Sequence, residues 1–168
     1  MSLPGQRLQP DRYQIVPRTL CFLVDSSQVL LMRLSASRGA WAGQLNGLGG
    51  HIERGENPAA SAHRELQEET GLEPIDLRLC GVVIIETRQT SGIGLFVFVG
   101  RASGSPSMTH EEGQPVWQDL ATLDPNALVE DLPALLPRAL AVYAGEAEPF
   151  CALYTYDADD RLQIEWLP

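Results

Sequence analysis

Residues 49–72 read Gly-Gly-His-Ile-Glu-Arg-Gly-Glu-Asn-Pro-Ala-Ala-Ser-Ala-His-Arg-Glu-Leu-Gln-Glu-Glu-Thr-Gly-Leu. Asn57 is a good helix N-cap, because its short side chain can accept from the first-turn N–H groups. Pro58 falls at the first helical position, where its missing N–H costs nothing. Ala59 to Glu69 are mostly strong helix formers, and Gly71 suits the left-handed residue that ends a helix. The stretch therefore predicts a Gly-rich loop feeding a helix of about three turns. Ala59, Ala62 and Leu66 recur at three- and four-residue spacing and are expected to face the core. Glu65, Glu68 and Glu69 share another face, and Arg64 lies one turn before Glu68. Like charges at such spacing repel by about 1 kcal/mol per pair in water, and by about 4 at the effective dielectric near a protein surface. One arginine cannot neutralise three carboxylates. A divalent cation that takes oxygen ligands can. The plain alternative for such a triplet is a solvated acidic face. Against it stand Gly47, Gly49, Gly50 and Gly55 just upstream, with Glu56 among them. Such glycines let a backbone approach a phosphate or a metal closely.

Gly50, Glu56, Arg64-Glu65-Leu66, Glu68-Glu69 and Gly71-Leu72, at these separations, resemble the complete Nudix box. Every fixed position is filled. The resemblance implies an α+β chain with the Nudix fold, an α/β/α sandwich around a mixed sheet. It also implies a hydrolase that uses Mg²⁺, or Mn²⁺ in its place. Glu68 and Glu69 would be the main metal ligands, and Glu65 a ligand or the general base. The Gly49 carbonyl would complete the inner sphere. Arg64 would orient the carboxylates, and Glu56 would brace the loop through Arg64. Nudix enzymes often recruit a further acidic residue from a later loop. Glu112 resembles that element, with Glu111 as its rival.

The rest of the chain bounds this reading. The 168 residues suit one domain with its own core. A net charge of −10 argues against broad binding to nucleic acid polymers or anionic membranes. Cys21, Cys80 and Cys151 lack CxxC spacing and read as reduced core cysteines of a cytoplasmic protein. No apolar run approaches the roughly 20 residues of a membrane span, and no signal peptide is evident.

Residues 1–17 carry Pro4, Pro10 and Pro17 and are expected to form an arm, leaving 18–168 as a single domain. Arg18 to Asp25 and Val29 to Leu34 read as neighbouring strands, and Ser35 to Gly43 as a loop. Trp41 in that loop suits a lid over the core or a place in the ligand pocket. Leu77 to Thr87 reads as a strand broken off at Gly92, with Ile93 to Arg101 as its antiparallel partner. Leu132 onward predicts a helix with Leu135, Leu136, Ala139 and Leu140 on its buried stripe. Phe150 to Tyr156 and Leu162 to Trp166 predict a closing hairpin.

The expected reaction is hydrolysis of a phosphoanhydride in a nucleoside diphosphate-linked small molecule. Within it, the expected substrate is a nucleoside triphosphate, oxidised purines included, cleaved to monophosphate and pyrophosphate. Asn46 and the acidic pair Glu130-Asp131 resemble base-contacting positions of oxidised-purine triphosphatases, as does the terminal hairpin. Gly50 and these two, Asn46 and Asp131, are the expected substrate contacts. Leu45, Leu128 and Val129 stand where that group carries tryptophans, so stacking is weaker or comes from elsewhere. Helix capping is the plain role for Asp131. ADP-sugar or dinucleotide hydrolysis is an alternative, although Glu86 to Thr90 lacks the proline or tyrosine markers of those groups. A nucleotide-binding module without catalysis is another. A homodimer is compatible with all three.

Overall fold

The computed structural model describes residues 11–107 and 111–167. Eight strands form one mixed sheet: β1 (Gln14–Asp25), β2 (Gln28–Leu34), β3 (Leu45–Asn46), β4 (Ile75–Ile85), β5 (Ser91–Arg101), β6 (Gly113–Asp119), β7 (Phe150–Tyr156) and β8 (Leu162–Leu167). Among the described residues two α-helices accompany it, α1 (Pro58–Thr70) and α2 (Leu132–Tyr143). The spatial order is β3-β2-β1-β5-β4-β7-β8, and β6 pairs with β2. β1 runs parallel to β5, and β4 parallel to β7; the other pairs are antiparallel. This is the expected α+β layout.

Leu20, Cys21, Phe22 and Leu23 are all buried, so β1 reads as a continuous apolar run rather than an alternating one. A strand covered on both faces has this pattern. α1 packs against β1, and α2 against β4 and β5. In α2 the buried set is Leu132, Leu135, Leu136 and Ala139, close to the predicted stripe. Among the described residues, no helix is long and apolar enough to cross a membrane.

Several expectations need correction. β1 begins at Gln14 rather than Arg18, with Gln14 opposite Ser91, so the end of the expected arm belongs to the sheet. The arm's residues 1–10 lie outside the described residues. Gly92 does not break a strand; it lies inside β5 opposite Ile15, where a Cβ would meet Tyr13 and the Ile85 carbonyl. Close backbone approach explains that glycine. The expected loop after β2 contains a 3₁₀ segment, Ala36–Trp41. Ala59 is exposed; burial in α1 starts at Ser61 and Ala62. Cys151 is exposed, while Cys21 and Cys80 are buried.

Candidate active site

β1 and β2 pair only beside their turn, from Leu23 opposite Leu30 to Asp25 opposite Gln28. Beyond it β2 pairs with β3, Met32 opposite Asn46 and Arg33 opposite Leu45, and the edge of β1 is left for the Gly-rich loop. Leu48 and Cys21 exchange backbone bonds of 3.0 and 2.7 Å, and the Gly50 carbonyl accepts from Thr19 N at 2.9 Å. The loop thus behaves as a short strand on β1. Gly49 holds φ +116°, and a Cβ there would stand 2.5 Å from the Thr19 carbonyl oxygen. A Cβ on Gly50 would stand 2.5 Å from Glu65 Oε1. At Gly49 only glycine tolerates the approach, and a Cβ on Gly50 would push the Glu65 carboxylate aside.

The loop delivers the chain into α1 as the sequence predicts. Asn57 Oδ1 accepts from Ala60 N at 2.9 Å, and Gly71 closes the helix at φ 70° with its N–H on the Gln67 carbonyl. This fixes where the acidic side chains emerge.

Arg64 is the hub. Its Nε and Nη2 donate to the two oxygens of Glu56 at 2.7 and 3.0 Å. Its Nη1 donates to Glu65 Oε1 at 3.0 Å and to Glu68 Oε2 at 3.1 Å. Nη2 also reaches the His51 carbonyl at 3.0 Å. Glu56 in turn accepts from Glu53 N at 3.0 Å, which ties the loop to the hub. The Arg64 guanidinium holds the Glu56 carboxyl down at about 2. Glu65 is pushed the other way: burial raises it, against the pull of Arg64.

Glu69 differs from its neighbours. It is buried, 8% exposed, and its Oε2 accepts from Gly49 N at 2.7 Å. Burial, with the charges of Glu65 and Glu112 behind it, pushes its carboxyl up to about 8. Glu68 is mostly exposed. Glu112 pairs with Arg38, and its charge raises both Glu65 and Glu69. Glu111 is exposed, and it is its backbone carbonyl that takes the Ser35 hydroxyl, at 2.7 Å. Of the two rivals, Glu112 is the one whose charge bears on the cluster.

Among the described residues, no three acidic, His or Cys groups stand arranged around a common ion position. Arg64 holds Glu65 and Glu68, and Gly49 holds Glu69. The donor set nevertheless fits a hard divalent cation, since every candidate ligand is an oxygen. Glu69 is raised by burial first, with its acidic neighbours behind it, and a bound cation would offset both.

A cavity opens from the same glycines. Asn46, Gly49, Gly50, Asp131, Trp41 and Tyr154 are among its lining residues. Asn46 Oδ1 accepts from Gly47 N at 2.8 Å. Trp41 is 54% exposed and lines this cavity, so of its two sequence readings the pocket wall is the observed one. Asp131 precedes α2 in helical conformation and makes no side-chain cap bond, so capping does not account for it. Burial pushes its carboxyl up to about 6 from 3.8. Between those values the folded chain holds a proton that the unfolded chain releases, so stability falls as pH rises through this window. Asp131→Asn is expected to be more stable than the wild type at pH 7.5, by about 3 kcal/mol at most, and so to unfold at higher temperature, with the gap closing near pH 4. Thermal melts at the two pH values check this; equal melting at pH 7.5 would refute it.

Sequence reading missed Arg18, Tyr154 and Tyr156 as cavity residues. The two tyrosines reach the site because β7 lies beside β4, a parallel pairing that no local pattern announces.

Residues 15–139 match the NUDIX domain family. Over 104 residues the chain is 34% identical to a Danio rerio protein named oxidized purine nucleoside triphosphate hydrolase; the match spans 61% of this chain and 65% of that protein. A MutT mutator protein from Bacillus halodurans superposes with TM-score 0.66 at 24% identity, over 90% of this chain and 97% of that one. A UDP-X diphosphatase superposes with TM-score 0.66 at 18% identity, over 88% and 70% respectively. These two show the fold. With most of its length inside the family match, and a Gly-rich loop and glutamate helix in contact as the box requires, this chain belongs to the NUDIX domain family.

Proposed function

We propose that this chain is a Mg²⁺-dependent pyrophosphohydrolase that cleaves nucleoside triphosphates, oxidised purines among them, to monophosphate and pyrophosphate. The observation that carries the reading is the continuity of the two halves of the site. Gly49 and Gly50 contact Glu69 and approach Glu65 on one side, and line the cavity with Asn46 and Asp131 on the other. A nucleotide laid along the cavity would place its phosphates at the carboxylates.

Glu65, Glu68 and Glu69, with the Gly49 carbonyl and Glu112, would hold Mg²⁺ or Mn²⁺, which neutralises charge on the phosphate oxygens and the leaving group. Glu65 is partly buried beside the loop and has a raised proton affinity, which suits it to take the proton of the attacking water. Arg64 keeps Glu65 and Glu68 on the loop side of α1. Glu56 fixes Arg64 through both oxygens. In the cavity, Asn46 and Asp131 orient the base, and the exposed ring of Trp41 offers the stacking surface. Orientation of this kind turns binding into rate.

The test is release of phosphate or pyrophosphate with Mg²⁺ over a panel of normal and 8-oxo purine triphosphates, ADP-ribose, dinucleoside polyphosphates and NADH. Pyrophosphate release from purine triphosphates is the expected result. Preference for ADP-ribose or a dinucleotide would overturn the substrate assignment and leave the carboxylate site standing. Binding without turnover would overturn catalysis.

A further inference from the structure

Among the described residues, three buried side-chain polar atoms have no protein partner: Arg18 Nε, Gln44 Oε1 and the Tyr154 hydroxyl. Two of the three belong to residues that line the cavity. Tyr154 is the extreme case. It is 1% exposed, and its ring packs edge-on against Trp166 at 6.4 Å. A phenol in such a place ordinarily finds a hydrogen-bond partner, because leaving one unpaired costs free energy. A phenylalanine would avoid that cost. The hydroxyl therefore asks for a partner that arrives with a ligand.

Its surroundings define the ligand. Burial, with the charge of Asp131 behind it, raises the proton affinity of Tyr154, and burial, with Glu130 and Asp131 behind it, raises that of Tyr156, so the acidic pair bears on both phenols. Glu130, Asp131, Tyr154 and Tyr156 all line the cavity. This end offers one buried hydroxyl donor beside two carboxylate acceptors. The complementary edge carries one acceptor oxygen beside two N–H donors. A 6-oxopurine with a 2-amino group has this edge; a 6-aminopurine does not. β1 and β7 are three strand spacings apart, so Arg18 and Tyr154 mark positions separated by roughly 14 Å across the sheet. That span accommodates a nucleoside with its base at the Tyr154 end and its phosphates towards Gly49 and Gly50.

The geometry points to Tyr154 as a specificity-determining residue whose hydroxyl donates to the 6-oxo oxygen of a guanine-type base while Glu130 and Asp131 accept from its N–H groups. This rests on the nucleotide reading above.

The experiment compares wild type and Tyr154→Phe for binding of guanosine monophosphate and 2-aminopurine riboside monophosphate by calorimetry, and for steady-state hydrolysis of the matching triphosphates. The second base lacks the 6-oxo oxygen and, with it, the N1–H. The expected result is wild-type preference for guanine, with Tyr154→Phe weakening guanine binding about tenfold. KM for the guanine substrate rises to match, kcat holds, and the 2-aminopurine compounds are unaffected. Equal affinity of the wild type for the two bases overturns the assignment. So does a Tyr154→Phe change that is absent or equal for both, the mark of a residue that only packs. Where the variant fails to fold, equal wild-type affinity for the two bases still overturns the assignment. Absence of turnover with hydroxyl-dependent guanine binding intact would reject the hydrolase reading and uphold this one.

Discussion

Glu69→Gln is expected to lower turnover by a factor on the order of 10³ while raising the stability of the metal-free protein. The two effects share one cause. Glu69 is buried, burial pushes its carboxyl up to about 8, and Gly49 N–H donates to it. Glutamine keeps an oxygen for that N–H and nearly the same shape, and removes the charge. The sign follows from the raised value. Between pH about 4.5 and about 8, the folded metal-free chain keeps a proton that the unfolded chain releases. Stability of the wild type therefore falls as pH rises across that window, by about 1.4 kcal/mol for each unit at most. The variant escapes this, so it should melt above the wild type at pH 8 in chelator, and level with it near pH 4.5. Added Mg²⁺ should raise the wild-type melting temperature, because it binds only the folded site. Binding should strengthen as pH rises and Glu69 sheds its proton. The variant should lose most of this response. Melts at two pH values, with and without Mg²⁺, measure all of it. A Glu69→Gln protein that turns over normally, or responds to Mg²⁺ as the wild type does, removes Glu69 from the site.

The same residue shows where sequence reading reaches its limit. The helix from Pro58 to Thr70, its Asn57 cap and its Gly71 stop are local signals, and they appear as read. The hairpin of β7 and β8 is local too. Periodicity placed Glu65, Glu68 and Glu69 on one face but could not tell which of them turns inward. Glu69 is buried where its carboxylate meets Gly49 N, and Gly49 is held there by the backbone bonds of the Gly-rich loop to Thr19 and Cys21 on the edge of β1. Both facts depend on residues far apart in the chain. Tyr154 is a like case, since its place beside the acidic pair follows from the parallel β4–β7 pairing. Asp131 shows the reverse error. Its position before a helix reads as a cap, whereas its backbone already has helical conformation and its side chain makes no cap bond. Position along the chain suggests a role that the cavity then takes over.

Arg64→Ala is the second large effect, expected at about 10- to 100-fold in kcat, the usual loss when a residue that orients metal ligands is removed. KM should change little, because Arg64 lies on α1 and not among the cavity residues. One guanidinium bridges Glu56, Glu65, Glu68 and the His51 carbonyl. Its removal frees three carboxylates to repel one another and unties the loop from the helix. Mg²⁺ should then saturate activity only at higher concentration, since the ligands must be gathered at the moment of binding. Arg64→Lys separates charge from geometry. An ammonium restores the charge but cannot make the parallel pair of bonds to Glu56 while also reaching Glu65 and Glu68. Lysine is therefore expected to recover little of the lost kcat. If charge alone matters, Arg64→Lys will behave like the wild type in a Mg²⁺ titration, and the bridging argument fails. Glu56→Gln supplies the cross-check. Glu56 acts through Arg64, so its substitution should reduce kcat in the wild-type background and much less in Arg64→Ala. Additive losses in that cycle would mean that the loop is braced by Glu56 alone, through Glu53 N–H, and that Arg64 serves only the helix carboxylates.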